Sequence, residues 1–393
     1  MIRRVTERQE IEETRQLASY AFNANHTDTQ KEEFLIKGQF IDNYVEEING
    51  RVTSQVINHP YEVMINGQVM TSAGIVDVAS YPERRGTGSI TRLFEYAFKD
   101  LYERGTELSY LAPFSQPFYR KFGYEMIFDI EETYIPTHVI QQVKQEKKGY
   151  MERVFWEDEE AQKIIKALYR KTLGSQNGSL LREDYWWDFE FKYFEGKRLA
   201  IAYDDNDVPC GYINYSLIGF SEFKINELAY TNMFALRKLM TFVSSHSGSF
   251  PMFVAKNIDV KMVSELFTET IEVRRKKQTD MMARILDFER FIGKFKFRDV
   301  STKYSLYLEV NDANCPWNDG MFKVEIENGQ ANCQKVEEGK ADYSGTIQRW
   351  TQVFLGKHTV EEAIWAEFLE FNGEKEVLSD LIEPNTPHLY DHF

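Results

Sequence analysis

Between Gly74 and Phe98 the sequence runs GIVDVASYPERRGTGSITRLFEYAF, and its centre, Arg84-Arg85-Gly86-Thr87-Gly88-Ser89, has the residue types needed to capture an anion. Glycines let the backbone approach a ligand closely, and the first N–H groups of a following helix have no internal partner. The helix N-terminus adds partial positive charge that favours a phosphate, and two arginines supply further donors. Other nucleotide loops fit poorly. A Walker A loop ends in Gly-Lys-Ser/Thr, whereas Gly88 is followed by Ser89-Ile90, and a dinucleotide fingerprint lacks its third glycine here. Taken alone, the loop reads equally as a surface turn with two solvated arginines.

The elements that must hold this loop lie on either side of it. Ile75, Val76 and Val78 are apolar and partly β-branched, which predicts a strand that Pro82 ends. Ile90, Leu93, Phe94, Ala97 and Phe98 recur at helical spacing, with Gly105 as a C-terminal cap. Upstream, residues 7–22 predict a helix, and Thr27 or Asp28 caps a second one carrying Phe34, Leu35, Phe40, Ile41 and Val45. A strand near 54–57 and a hairpin turning at Asn66-Gly67 follow. Residues 131–136 read as a closing strand and the Lys-rich 144–148 as a linker.

From Glu152 the order starts again, with helices over 158–173 and 183–194, strands over 199–203 and 208–217, and a strand-then-helix unit over 224–230 and 233–242. This is the pattern of an internal duplication. The second loop is Thr231-Asn232, with neither glycine nor an arginine pair, so the second copy is degenerate and carries no second site. From Arg284 the chain changes to short strands over 304–310, 322–326 and 330–333 and a helix between Gly345 and Gly356.

At 393 residues two or three domains are expected, and 29 Phe and 22 Tyr suffice to fill several cores. The net charge of −15 argues against nucleic-acid binding, which rests on phosphate neutralisation, and favours a cationic partner. Cys210, Cys315 and Cys333 form no disulfide framework or zinc spacing, which predicts a reducing compartment and no metal. The charged first residues lack the apolar core of a signal peptide, and no run reaches membrane-spanning length, so a cytoplasmic protein without a membrane partner is expected.

Arg85-Gly86-Thr87-Gly88 resembles the first four positions of Arg/Gln-x-x-Gly-x-Gly/Ala, the pyrophosphate loop of the GCN5-related N-acetyltransferases (GNATs), with Ile90 at its last position. Ser115-Gln-Pro-Phe-Tyr-Arg-Lys-Phe-Gly-Tyr124 resembles the Phe-Tyr-x-x-x-Gly-Phe/Tyr element of the same superfamily, which brings a tyrosine to the thiol of coenzyme A. The region from Arg284 onwards resembles the sterol-carrier-protein fold. Two acetyltransferase-like halves and such a tail together resemble the enhanced intracellular survival (Eis) acetyltransferases, with Met281-Met-Ala-Arg-Ile-Leu286, Leu355-Gly-Lys-His358 and a terminal aromatic residue as further marks.

The resemblance implies an α+β chain of two tandem GNAT-like domains, the second degenerate, and a sterol-carrier-like domain, divided as 1–140, 141–284 and 285–393. It implies acetyl transfer from acetyl-CoA to a primary amine of a cationic small molecule, of aminoglycoside or polyamine type. Val76 and Val78 would offer backbone groups to the pantetheine arm, and Arg84, Arg85, Gly86, Thr87, Gly88 and Ser89 would hold the pyrophosphate. Tyr119 would be the general acid for the departing thiolate and the α-carboxylate of Phe393 the general base. A terminal carboxylate, of ordinary pKa about 3.5, is ionised at neutral pH and can accept the amine proton, while a phenol, of ordinary pKa about 10, can donate one. A homo-oligomer, a hexamer, is implied as well. His392 stands where the family often has an acidic residue, and no acidic pocket residue is evident near Phe22-Asn23-Ala24. The alternatives are a protein lysine or N-terminal acceptor, and a lipid- or CoA-binding scaffold without catalysis.

Overall fold

The structure, a computed structural model, describes residues 1–192 and 196–393. The first strand, β1 (Ile2–Val5), precedes α1 (Arg8–Ala21) and α2 (Asp28–Lys37). Four strands follow with a helix among them: β2 (Asp42–Ile48), β3 (Arg51–Ile65), β4 (Gln68–Ser80), α3 (Ser89–Glu103) and β5 (Leu108–Leu111). The short α4 (Gln116–Arg120) leads to β6 (Glu125–Pro136). The chain divides into two units, residues 1–128 with 280–393 and residues 129–279.

In the first unit β1 to β4 pair antiparallel in sequence order, and β4 pairs parallel with β5. Local chemistry explains the helices. α1 buries Ile11, Leu17 and Ala18 along one face, and Thr27 caps α2 in a capping box with Gln30. α3 buries Leu93, Phe94, Ala97, Phe98 and Leu101 against Ala73, Ile75 and Leu111 of the sheet. The expected second helix is too long. α2 stops at Gly38, which fits so tightly against Ile11 that a Cβ there would lie 2.4 Å from its methyl group, and Ile41 and Val45 lie beyond it. Val45 belongs to β2 and pairs with Arg3 of β1, a strand whose two central arginines hide its apolar ends. The strand expected at 54–57 is the middle of the fifteen-residue β3.

The second unit runs through α5 (Thr137–Ile140), β7 (Tyr150–Val154), α6 (Glu159–Lys171) and α7 (Asp184–Lys192). The helix expected over 183–194 thus ends outside the described residues. Then come β8 (Lys197–Tyr203), β9 (Pro209–Ile218), β10 (Glu222–Tyr230), α8 (Met233–Ser244), β11 (Met252–Lys256), α9 (Val260–Ser264) and β12 (Arg274–Ile285). Here β7 to β10 pair antiparallel, β10 pairs parallel with β11, and β11 pairs antiparallel with residues 132–136 of β6.

The end of β12 belongs to the first unit, where Met282–Ile285 pairs with β5. The tail continues with α10 (Phe288–Lys294), β13 (Tyr304–Asn311), β14 (Gly320–Glu327), β15 (Gln330–Val336), β16 (Tyr343–Thr346), α11 (Ile347–Phe354), α12 (Val360–Trp365), β17 (Leu369–Phe371) and α13 (Leu378–Leu381). Its sheet has the order β15-β14-β13-β16-β17. The helix expected from Gly345 starts two residues later, because Gly345 still pairs with β13 and β17. Phe288, Phe322, Trp350 and Phe354 fill the interior with ring centroids 5.0 to 6.1 Å apart. The cavity beside Val353, His358 and Ile382 holds about 60 Å³, the room of a water or two and far too little for an acyl chain.

Candidate active site

β4 and β5 run parallel, so the segments that follow them leave from the same end of the sheet. The segment after β4 is the basic loop; the segment after β5 carries α4 and Tyr119. This topology gathers two stretches thirty residues apart.

In the loop, Gly86 and Gly88 have φ of 76 and 78°, a left-handed backbone that glycine adopts at least cost. Gly88 immediately precedes α3 and offers no side chain to cap it. The second copy differs here: Asn232 Oδ1 accepts from the Ala235 N–H at 2.9 Å, so the α8 terminus is already occupied by its own side chain. The degenerate loop therefore lacks more than glycines and arginines.

Arg85 is exposed, and among the described residues no carboxylate pairs with it. Arg84 Nη2 stands 4.0 Å from Glu46 Oε2. Arg92, one turn into α3, donates to Glu46 Oε1 at 2.6 Å and to the Thr87 carbonyl at 2.9 Å, tying loop, helix and β2 together. Burial raises the Glu46 carboxyl, but hydrogen bonds from Ser89 and Arg92 outweigh it and hold it below its usual range. Thr87 Oγ1 and Ser89 Oγ lie 2.9 Å apart. Sequence reasoning missed Glu46 and Arg92; an arginine four residues past Gly88 was the available signal.

Tyr119 is 3 % exposed within a group of rings formed by Phe94, Phe114, Phe118 and Tyr124, at centroid distances of 5.1 to 6.3 Å. Burial alone pushes its phenol well above the usual range. The end of β12 and the tail fix the turn after it through three successive carbonyls. Gln348 donates to the Arg120 oxygen at 3.2 Å, Asn314 to that of Lys121 at 2.9 Å, and Arg284 to that of Phe122 at 2.6 Å. Arg284 is fully buried, lies over the Phe98 ring and pairs with Asp312 at 2.5 Å. None of these partners could be found from local sequence.

That clamp gives a first expected outcome. Gly123 has φ of 81°, and a Cβ there would lie 2.7 Å from Arg284 Nη1. Gly123→Ala should lower stability by about 2–4 kcal/mol, combining backbone strain with a disturbed buried ion pair. Urea unfolding of the two proteins measures it, and an unchanged midpoint would refute it.

Phe393 reaches β3 and β4 from the chain end. Its ring packs on Tyr61 at 5.0 Å and covers Gly74, where a Cβ would fall 2.8 Å from the Phe393 ring and 2.4 Å from the Tyr61 ring. His392 Nδ1 lies 3.5 Å from Asp280 Oδ1, and Asp391 is buried. Val76 and Val78 are half-buried on the same strand, beyond Gly74.

On the α2 side of β4 sit Glu33, Lys37, His59 and Asp77. Burial pushes Lys37 down to about 8 and raises Glu33 to about 7, and it drives buried His59 far below its usual range. The Glu33 shift has a sign that can be worked out. The unfolded chain ionises this carboxyl near its ordinary value of about 4.5, while the folded chain keeps the proton up to about 7. The folded state therefore binds more protons between those values, and stability falls as pH rises through that window. Glu33→Gln should abolish this fall and make the protein more stable at pH 8 by on the order of 2 kcal/mol, with no gain at pH 4. Unfolding curves at both pH values decide it; an equal effect at both would overturn the assignment.

Residues 1–127 match an acetyltransferase (GNAT) domain, residues 178–285 a further GNAT acetyltransferase domain, and residues 288–390 a sterol carrier protein domain. The chain belongs to the GNAT acyltransferases, as a member with two such domains and a sterol-carrier-like tail. A conserved protein of unknown function from Enterococcus faecalis, described as a probable N-acyltransferase, is 31% identical, with 100% of this chain and 99% of that one covered and a TM-score of 0.92. A GCN5-related N-acetyltransferase from Anabaena variabilis shares the fold at 20% identity, with all of both chains covered and a TM-score of 0.87. Eis1 from Mycobacterium abscessus shares it at 15% identity, again with both chains covered in full, and a TM-score of 0.80. No curated protein matches the sequence. Acetyltransferases of this superfamily take their acyl group from acetyl-CoA and give it to an amine. Among the described residues no helix is long and apolar enough to cross a membrane.

Proposed function

We propose that this protein is an Eis-like N-acetyltransferase that moves the acetyl group of acetyl-CoA to a primary amine of a cationic small molecule, of aminoglycoside or polyamine type. The reading is carried by one juxtaposition: a helix N-terminus without a side-chain cap, with left-handed Gly88, beside Arg85, with which no carboxylate pairs among the described residues, leaving the sheet at the same end as Tyr119. Arg84, Arg85 and the backbone from Gly86 to Ser89 hold the pyrophosphate. The backbone of Val76 and Val78 pairs with the pantetheine arm. The amine nitrogen attacks the thioester carbonyl, the carbon–sulfur bond breaks, and an amide forms. Tyr119 gives its proton to the departing sulfur, and the Phe393 carboxylate takes the proton lost by the amine. The work is done by residues 1–140 and the chain end; residues 141–284 are a degenerate copy and 285–393 the tail. A cytoplasmic hexamer belongs to the same reading.

Thiol release from acetyl-CoA over a panel of aminoglycosides and polyamines tests it, and silence with every amine would sink it. Within that assay Arg85→Glu should raise the KM for acetyl-CoA by about 10–100-fold, as expected for replacing a charge-assisted contact by a repulsive one, with kcat little changed at saturation. An unaltered KM would remove Arg85 from the pyrophosphate site.

A further inference from the structure

β4 carries one residue that the proposed transfer leaves unused. The register between β3 and β4 slips so that Asp77 and Val78 together face the single residue Val56, and Asp77 has φ of 47°. Glycine ordinarily fills such a bulge position, and Asp is one of the few other residues that adopt its left-handed backbone at modest cost. Gln55 Nε2 donates to the Asp77 carbonyl at 3.2 Å, which fixes the peptide. Among the described residues no hydrogen bond or ion pair within 4 Å reaches the half-buried carboxylate itself. Burial holds it above the usual carboxylate range, and Lys37 and His26 act on it only through space. A part-desolvated carboxylate without a hydrogen-bond donor is a cost to the fold that only the through-space attraction of Lys37 and His26 offsets. Elsewhere on this strand pair, His59 is 2 % exposed, its Nδ1 has no partner among the described residues, and it faces Gly74 across β3 and β4, on the row that Phe393 covers.

We infer that Asp77 is a specificity-determining residue of the acceptor site, binding an ammonium of the acceptor other than the one acetylated, and so selects diamines and polyamines over monoamines. This rests on the acetyl-transfer reading above. A carboxylate only accepts hydrogen bonds, so its natural ligand is a multiple donor of positive charge. In the proposed transfer the proton of the reacting amine already goes to the Phe393 carboxylate, so Asp77 is assigned to a different amine. The partner of Asp77 is therefore a second amine, held apart from the reacting one.

The test measures 1,6-diaminohexane against 1-aminohexane, by calorimetric binding in the presence of CoA and by acetylation rate. The proteins are the full chain and Asp77→Asn. Asn keeps the shape and tolerates a positive φ, so this change isolates the charge. Asp77→Gly, which suits the backbone best, guards against a misfolded variant. The wild type should prefer the diamine by about 10–100-fold, the worth of a charge-assisted contact, and both variants should lose that preference while KM for acetyl-CoA stays put. Retention of the preference in the variants overturns the proposal, as does an equal fall in kcat for both amines, which would make Asp77 catalytic. If the wild type acetylates neither amine yet binds the diamine through Asp77, the ammonium site stands and the transfer reading fails. If it binds the two alike, the ammonium site falls.

Discussion

Removal of Phe393 is expected to lower kcat by about 10²–10⁴-fold while acetyl-CoA binds as before, because the proposed transfer uses the deleted group as general base and not as a donor to the coenzyme. The expectation rests on where the chain end sits. The Phe393 ring packs on Tyr61 and covers Gly74, on the strand that Val76 and Val78 continue, and Gly74 pairs with Tyr110 of β5. A chain end usually frays; this one is held by a ring against a position where any side chain would collide. Two further variants separate the carboxylate from the ring. One glycine added after Phe393 moves the carboxylate by up to about 3.5 Å and leaves the ring, so a similar loss of kcat is expected. Gly74→Ala expels the ring, since its Cβ would meet both Tyr61 and Phe393 closer than atoms pack, and should cost activity without cancelling acetyl-CoA binding. Steady-state kinetics with calorimetric titration of acetyl-CoA measures all three. Full turnover after loss of Phe393 would return the base to another group.

Much of this site was legible because its chemistry is local. Two glycines, two arginines and a helical period stand within fifteen residues, and the structure gives Gly86 and Gly88 the left-handed backbone their type suggests. What stayed hidden is long-range or depends on a dihedral angle. Glu46 lies in β2, forty-six residues from the Arg92 it holds, and no composition rule pairs them. Arg284 stood in a marked stretch, yet only the fold shows that it reaches the carbonyl of Phe122 and closes the turn behind Tyr119. Asp77 reads as an ordinary strand residue; its φ of 47° reveals the bulge. The overlong second helix fails for a related reason. Ile41 and Val45 suit a helical period as well as a strand, and the deciding fact is the pairing of β2 with β1 and β3, which lies outside any local window. Gly74 is the reverse case: it opens the stretch that leads into the basic loop, but the reason for a glycine there is the rings of Tyr61 and Phe393.

Tyr119→Phe is expected to lower kcat by about 10²–10⁴-fold with acetyl-CoA still bound, and its pH behaviour separates an acid from a packing ring. The phenylalanine keeps every ring contact with Phe94, Phe114, Phe118 and Tyr124, so unfolding curves should hardly change. The direction of the phenol's shift then sets the profile. An unfolded tyrosine titrates near pH 10, and burial moves the folded one higher, so the hydroxyl stays protonated in both states below pH 10. Tyr119 therefore contributes no pH dependence to stability in the neutral range, and no descending limb of activity below pH 10 belongs to it. Burial makes the phenol a weaker acid than an ordinary thiol, so its proton passes to the departing sulfur only where the forming thiolate is desolvated as well. The defect should therefore shrink when the leaving thiol is more acidic, since such a thiolate needs less help. Comparing acetyl-CoA with phenyl thioacetate as donor, in wild type and variant, reads this directly. If the variant's deficit were the same for both donors, the hydroxyl would not be protonating sulfur, and Tyr119 would be a packing residue in an acyl-transfer site that takes its acid from water.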